Sequence, residues 1–183
     1  SGMLNFALHP RYGIDSNYVY VFYQWNPYNG QIYTRISRFD VLNPGPNAYA
    51  DPNSEMVLIQ QLDRATNHNG GGLFFGSDDF LYISFGDEGP GNSTYNNGQF
   101  INDRLIAGVI RIDVDRNPAT SHAIRRQPNL LSGSDQSFTA NYYVPDSNPW
   151  QDVGGSILEE FIAFGFRYPH RMTFDAATGN IWM

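Results

Sequence analysis

Leu73-Phe74-Phe75-Gly76-Ser77-Asp78-Asp79-Phe80-Leu81-Tyr82-Ile83-Ser84 reads as a hairpin: an apolar strand, a Gly/Ser/Asp turn, and a second strand with an aromatic at its centre. The unit recurs. Phe6-Ala7-Leu8-His9-Pro10 leads through a turn to Val19-Tyr20-Val21. Met172-Thr173-Phe174-Asp175 leads through Thr178-Gly179-Asn180 to Ile181-Trp182-Met183. A hairpin this small buries its faces only against neighbours, so the repetition predicts an all-β chain of propeller blades, with a jelly roll or sandwich as the alternative on pattern alone.

Further strands fall where β-branched and aromatic residues cluster, over residues 18–25, 32–39, 56–62, 109–113 and 161–164. Asn26-Pro27-Tyr28-Asn29-Gly30 carries an Asn-Gly hairpin signal between the first two. Residues 43–53 and 89–98 read as loops. Residues 117–148 read as mostly irregular, because Pro118, Pro128 and Pro145, with Pro149 just beyond, interrupt regular elements. The best helix candidate is 99–105. The 183 residues read as one domain, 1–183, truncated at both ends: the last hairpin stops one residue after Trp182, as expected of a piece of a longer protein.

Composition narrows the function classes. Aromatics make up 15% and charged residues 16%, with 18 Gly and 11 Pro, which suits short strands and tight turns. Eighteen acidic against eleven basic residues give a net charge of −7, the wrong sign for tracking phosphates, so nucleic acid is not expected as a partner. No apolar run approaches the roughly 20 residues of a membrane helix, and no signal peptide opens the chain. Without cysteine there are no disulfides and no thiolate metal ligands.

Two segments flank the quoted hairpin. Asn67-His68-Asn69-Gly70-Gly71-Gly72 precedes it and Gly86-Asp87-Glu88-Gly89 follows it, so two strands of about five residues bring Asp87 back beside His68 at one sheet edge. A histidine with an orienting carboxylate is the arrangement of a general base. The plainer readings are a surface turn histidine and an Asx-turn aspartate. In Phe164-Gly165-Phe166-Arg167-Tyr168-Pro169-His170-Arg171, Arg167 between aromatics suits a planar anion, or else a surface ion pair. His9 reads as structural and His122 as part of a solvated loop. Asp87 with Glu88, Asp113 with Asp115, and Asp146 are oxygen donors suited to calcium, without EF-hand spacing.

Taken together, these segments resemble the soluble pyrroloquinoline quinone (PQQ)-dependent sugar dehydrogenases, the glucose/sorbosone dehydrogenase family. Gly2-Met3-Leu4-Asn5-Phe6-Ala7-Leu8-His9-Pro10 is similar to the family's opening Gly-Leu-Leu-Gly-x-Ala-Phe-His-Pro. Asn67-His68-Asn69-Gly70-Gly71 resembles its Asn-His-x-Gly-Gly loop, and Gly86-Asp87-Glu88-Gly89 its Gly-Asp-x-Gly turn. Residues 107–113, 144–150 and 164–169 follow in the family's order.

The resemblance implies a six-bladed β-propeller, of which this chain would hold about three blades. It implies oxidation of the anomeric hydroxyl of an aldose sugar, with PQQ bound through calcium, an external electron acceptor, and a periplasmic or secreted location. By resemblance His68 is the general base, Asp87 supports its imidazole, and Arg167 and Tyr168 lie where the family contacts the cofactor. Asn usually stands where this chain has Tyr168. The glycine-rich segment that offers backbone oxygens to calcium would follow Met183, so the 183 residues alone are expected to bind PQQ poorly or not at all. A propeller of the same superfamily acting as a non-catalytic binding module is the second reading.

Overall fold

The protein is described by a computed structural model covering residues 2–28, 30–89, 95–133 and 135–183. Strands β1 (Met3–Leu8), β2 (Tyr18–Trp25) and β3 (Ile32–Leu42) are followed by the two-residue β4 (Tyr49–Ala50) and by β5 (Met56–Asp63). They form an antiparallel meander in the order β1-β2-β3-β5, with β4 on the end of β3. Trp25 pairs with Tyr33, so β2 and β3 are adjacent antiparallel strands joined through residues 26–31; Asn29, half of the expected Asn-Gly signal, lies outside the described residues.

The second meander repeats the plan. Strands β6 (Leu73–Phe75), β7 (Leu81–Phe85) and β8 (Gly108–Ile112) are followed by β9 (Ser121–Ala123), β10 (Phe138–Thr139) and β11 (Tyr143–Pro145), then β12 (Phe161–Phe164). The sheet runs β6-β7-β8-β12. Strands β13 (Thr173–Asp175) and β14 (Asn180–Trp182) form a final hairpin. Of the three propeller blades expected, two are complete and the third is present as its opening hairpin. The repeated sequence unit is the first hairpin of each: β1–β2, β6–β7 and β13–β14.

The core lies between the two complete sheets. Phe22, Ile36 and Ile59 from one meet Leu81, Ile83 and Phe85 from the other, and the Phe22 and Phe85 rings are 5.4 Å apart. Every residue of β7 is buried, because both of its faces are covered by neighbours. At about 1.5–3 kcal/mol per buried large side chain, this contact stabilises what neither small sheet could bury alone. On the far side, Phe74 stacks on Phe174 at 6.0 Å and begins the next interface.

One expectation changes. Residues 99–105 do not form the expected helix; Gln99 ends a 3-10 turn, Asn97–Gln99, and the rest is irregular. Their backbone groups are claimed by other segments: Leu105 N donates to Gln61 Oε1 (2.8 Å) and Leu158 N to Ile101 O (2.7 Å). Residues 117–148 are mostly irregular, as expected, with three short strands among them. Strand β11 pairs with β9, and β10 extends the outer edge of β5. Among the described residues no helix is long and apolar enough to cross a membrane. Of the expected 89–98 loop, residues 90–94 lie outside the described residues.

Candidate functional site

Three loops meet at one end of the second sheet: residues 67–72 before β6, 86–89 after β7, and 165–171 between β12 and β13. Their backbones touch. A Cβ on Gly86 would sit 1.7 Å from the His68 carbonyl oxygen, and one on Gly70, already at φ +88°, would sit 2.1 Å from Ser84 O. Only glycine permits this approach. Ser84 Oγ accepts from Gly72 N (2.8 Å) and donates to Pro169 O (2.6 Å), joining the first loop to the third. Asp87 N donates to Arg167 O at 2.9 Å, joining the second to the third.

Within this frame His68 Nδ1 lies 2.7 Å from Asp87 Oδ1, with side chains 15% and 12% exposed. The same oxygen accepts from Gly89 N at 2.9 Å. A carboxylate only accepts, so the neutral imidazole carries its proton on Nδ1. The lone pair is then on Nε2, which has no hydrogen-bond partner among the described residues. His68 holds φ at +56°, the left-handed region that few residues other than glycine adopt. The Tyr168 ring stacks on the imidazole, with centroids 5.2 Å apart.

Beneath the loops lies a charge cluster that motif reading missed. Glu88, 4% exposed, accepts from Arg64 (2.6 Å) and from the buried Arg104 (2.7 Å), while Asn97 Nδ2 bridges Asp87 O (2.8 Å) and Glu88 Oε2 (3.2 Å). Arg104 also donates to Leu62 O. Nearby, burial raises the Asp63 carboxyl to about 6, with the Glu88 charge adding to the effect. With its amide oriented to satisfy both ends, Asn69 donates to Asp63 Oδ2 (3.1 Å) and to Asn67 O (3.0 Å), tying the His68 loop to this layer. The one signal for the cluster was Arg104 standing before the apolar run Leu105-Ile106-Ala107.

Arg167 is exposed, and its guanidinium has no hydrogen bond or ion pair among the described residues. With Asp87, Tyr95, Asn97, Gln99 and Phe166 it lines a cleft of about 100 Å³. Tyr168 is 46% exposed. An unpaired cation beside the His68–Asp87 pair suits an anionic planar group, which is the fit an anionic quinone needs.

Calcium is different. Among the described residues no three His, Cys, Asp or Glu side chains converge to hold a metal ion. Each candidate oxygen donor is otherwise engaged or isolated. Asp113 accepts from the backbone of residues 115, 116 and 117, Asp115 meets His9 at 3.2 Å, and Asp146 stands 4.0 Å from His122. His9 is structural as expected, 3% exposed and packed by Tyr18, Tyr20 and Phe75. His122 is not in a solvated loop: it sits in β9, its side chain 15% exposed, bonded to Gln151 at 3.0 Å.

The family described as glucose/sorbosone dehydrogenase matches residues 1–132, which include His68 and Asp87 but not Arg167 or Tyr168. The Arabidopsis thaliana HIPL1 protein is 32% identical over 119 residues, covering 64% of this chain and 15% of its own length. The HIPL2 protein of the same plant is 32% identical over 121 residues, again 15% of its length. A glucose dehydrogenase structure has a TM-score of 0.68 at 21% identity, covering 99% of this chain and 46% of its own. The soluble aldose sugar dehydrogenase of Escherichia coli, in its apo-form, has a TM-score of 0.62 at 19% identity, covering 99% and 42%. These likenesses establish the fold. The chain spans about a seventh of the curated relatives and under half of the solved structures.

Proposed function

The chain belongs to the glucose/sorbosone dehydrogenase family, and from that premise we propose that it carries the base side of a PQQ-dependent aldose dehydrogenase. In this reading His68 Nε2 takes the proton of the anomeric hydroxyl as the C1–H bond gives up its electron pair, and C1 becomes the carbonyl carbon of a lactone. A bound PQQ would supply the two-electron acceptor for that pair. Asp87 holds the Nδ1 proton and stabilises the imidazolium that forms. Arg167 and Tyr168 flank the side on which the anionic cofactor would lie, with the guanidinium offering fork hydrogen bonds. Turnover would need an external electron acceptor, and a periplasmic or secreted setting accords with the proposed chemistry.

The observation that carries the proposal is the 2.7 Å His68–Asp87 contact combined with an unpartnered Nε2. A positioned base of this kind contributes about 10²–10⁴-fold to rate. The test uses full-length protein supplied with PQQ and calcium, measuring dye reduction by a panel of aldoses. Turnover that falls by about that factor in His68→Ala supports the enzyme. No turnover with any aldose, or turnover indifferent to His68→Ala, defeats it in favour of a non-catalytic binding module.

A further inference from the structure

We infer that Tyr168 is a positioning residue for His68, acting through its ring and not through its hydroxyl; the inference rests on the base role proposed above. A single hydrogen bond, Nδ1 to Asp87 Oδ1 at 2.7 Å, fixes one point of the imidazole. The ring can still swing about that point, because the histidine χ2 torsion is broad and has no strong staggered wells. A flat contact removes this freedom. The Tyr168 ring supplies it at 5.2 Å between centroids and 27° between planes. Contact and hydrogen bond together set the direction in which Nε2 points.

Tyr168 is itself held in place. The residue before it is pinned by Asp87 N donating to Arg167 O (2.9 Å), and the residue after it by Ser84 Oγ donating to Pro169 O (2.6 Å). Its ring also meets His170 at 5.1 Å, and His170 Nδ1 lies 3.3 Å from Gly70 O, in the loop that carries His68. The phenol oxygen has no hydrogen-bond partner among the described residues. What the chain engages is therefore the aromatic face.

The test is NMR of full-length protein labelled at its histidine imidazoles, read for Tyr168→Leu, Tyr168→Asn, Tyr168→Phe and Tyr168→Trp. In the wild type the carbon-bound protons of His68 should lie upfield through the Tyr168 ring current. Leu and Asn should move them downfield, and the two aromatic replacements should restore them. His9, fixed among Tyr18, Tyr20 and Phe75, reports folding in every sample. If Leu perturbs His9, the exposed-side replacement Asn decides the question. In protein saturated with PQQ, Leu and Asn should lower kcat by about 10- to 100-fold with the sugar KM kept, and Phe should rescue kcat. His68 signals that ignore Tyr168→Leu and Tyr168→Asn overturn the inference. So does a Phe variant whose kcat falls as the Leu variant's does, since that marks the hydroxyl and not the ring as the part that matters. If no aldose is oxidised by any sample, the proposed activity fails while the NMR comparison still decides the stacking role.

Discussion

Arg104 Nη1 lies 2.7 Å from Glu88 Oε2, with the two side chains 1% and 5% exposed. This pair sits under the turn that presents Asp87, and a second arginine, Arg64, reaches the same carboxylate from a more exposed position, 23%. The two arginines are not equivalent, because desolvation makes the deeper charge depend more on its partner.

Glu88→Gln should therefore destabilise the fold by about 3–5 kcal/mol, since it strands the Arg104 charge in the interior. Arg64→Ala should cost only about 1 kcal/mol. Urea midpoints of the two variants and the wild type, compared at one pH, check the ranking. Equal midpoints for both variants would contradict it.

Replacing Gly86 by alanine forces a Cβ toward His68 O, 1.7 Å away. Backbone must move to admit it, at a cost of about 1–3 kcal/mol, and the His68–Asp87 contact should open. Gly13→Ala is the comparison: φ is +81° there, but nothing lies within 4 Å of the added carbon. It should cost about 1 kcal/mol from backbone strain alone and leave the site intact. Thermal melts together with His68 imidazole spectra distinguish the two outcomes.

Stability should fall as pH rises. Burial lifts the Glu160 carboxyl from 4.5 to about 7, and Tyr142 donates to it at 2.6 Å. Burial likewise lifts Asp63 from 3.8 to about 6. Between the ordinary and raised values the folded state binds more protons than the unfolded state, so unfolding free energy decreases with pH across that window and levels above about 7. Glu160 accounts for roughly 3 kcal/mol of the decline. Glu160→Gln keeps the Tyr142 hydrogen bond and should flatten the slope between pH 5 and 7, which denaturant titrations across that range measure.

Asp87→Asn should leave the fold nearly unchanged and lower kcat of the quinone-loaded full-length protein by about 10²–10⁴-fold, because an amide no longer fixes the Nδ1 proton or offsets the imidazolium. Steady-state rates with unaltered PQQ affinity are the expected signature. Loss of PQQ affinity without a rate effect would reassign Asp87 to the cofactor.

The parts of this architecture legible in the sequence are those governed by local chemistry. Leu73-Phe74-Phe75 and Leu81-Tyr82-Ile83 announce their hairpin because apolar strands and an Asp-rich turn are short-range signals. His68 and Asp87, nineteen residues apart, could be paired because that hairpin fixes where the chain returns. Strands β9, β10 and β11 were hidden, since two or three residues such as Phe138–Thr139 become a strand only by pairing with Gln60 and Ile59 far away. The expected helix at 99–105 failed for the mirror-image reason: Leu105 finds both its backbone partners on the Gln61 side chain. Glu88, by sequence an oxygen donor suited to calcium, instead neutralises two arginines supplied by other segments.

The hydroxyl of Ser84 touches no group proposed to react, yet one oxygen closes both the Gly72 amide and the Pro169 carbonyl. Trimming it to alanine would orphan two backbone groups in separate loops at once. The histidine paired with Asp87 and the tyrosine that leans on it would then drift independently. Tolerance to substitution at the rim is thus governed from below, by a buried side chain with no chemical duty of its own.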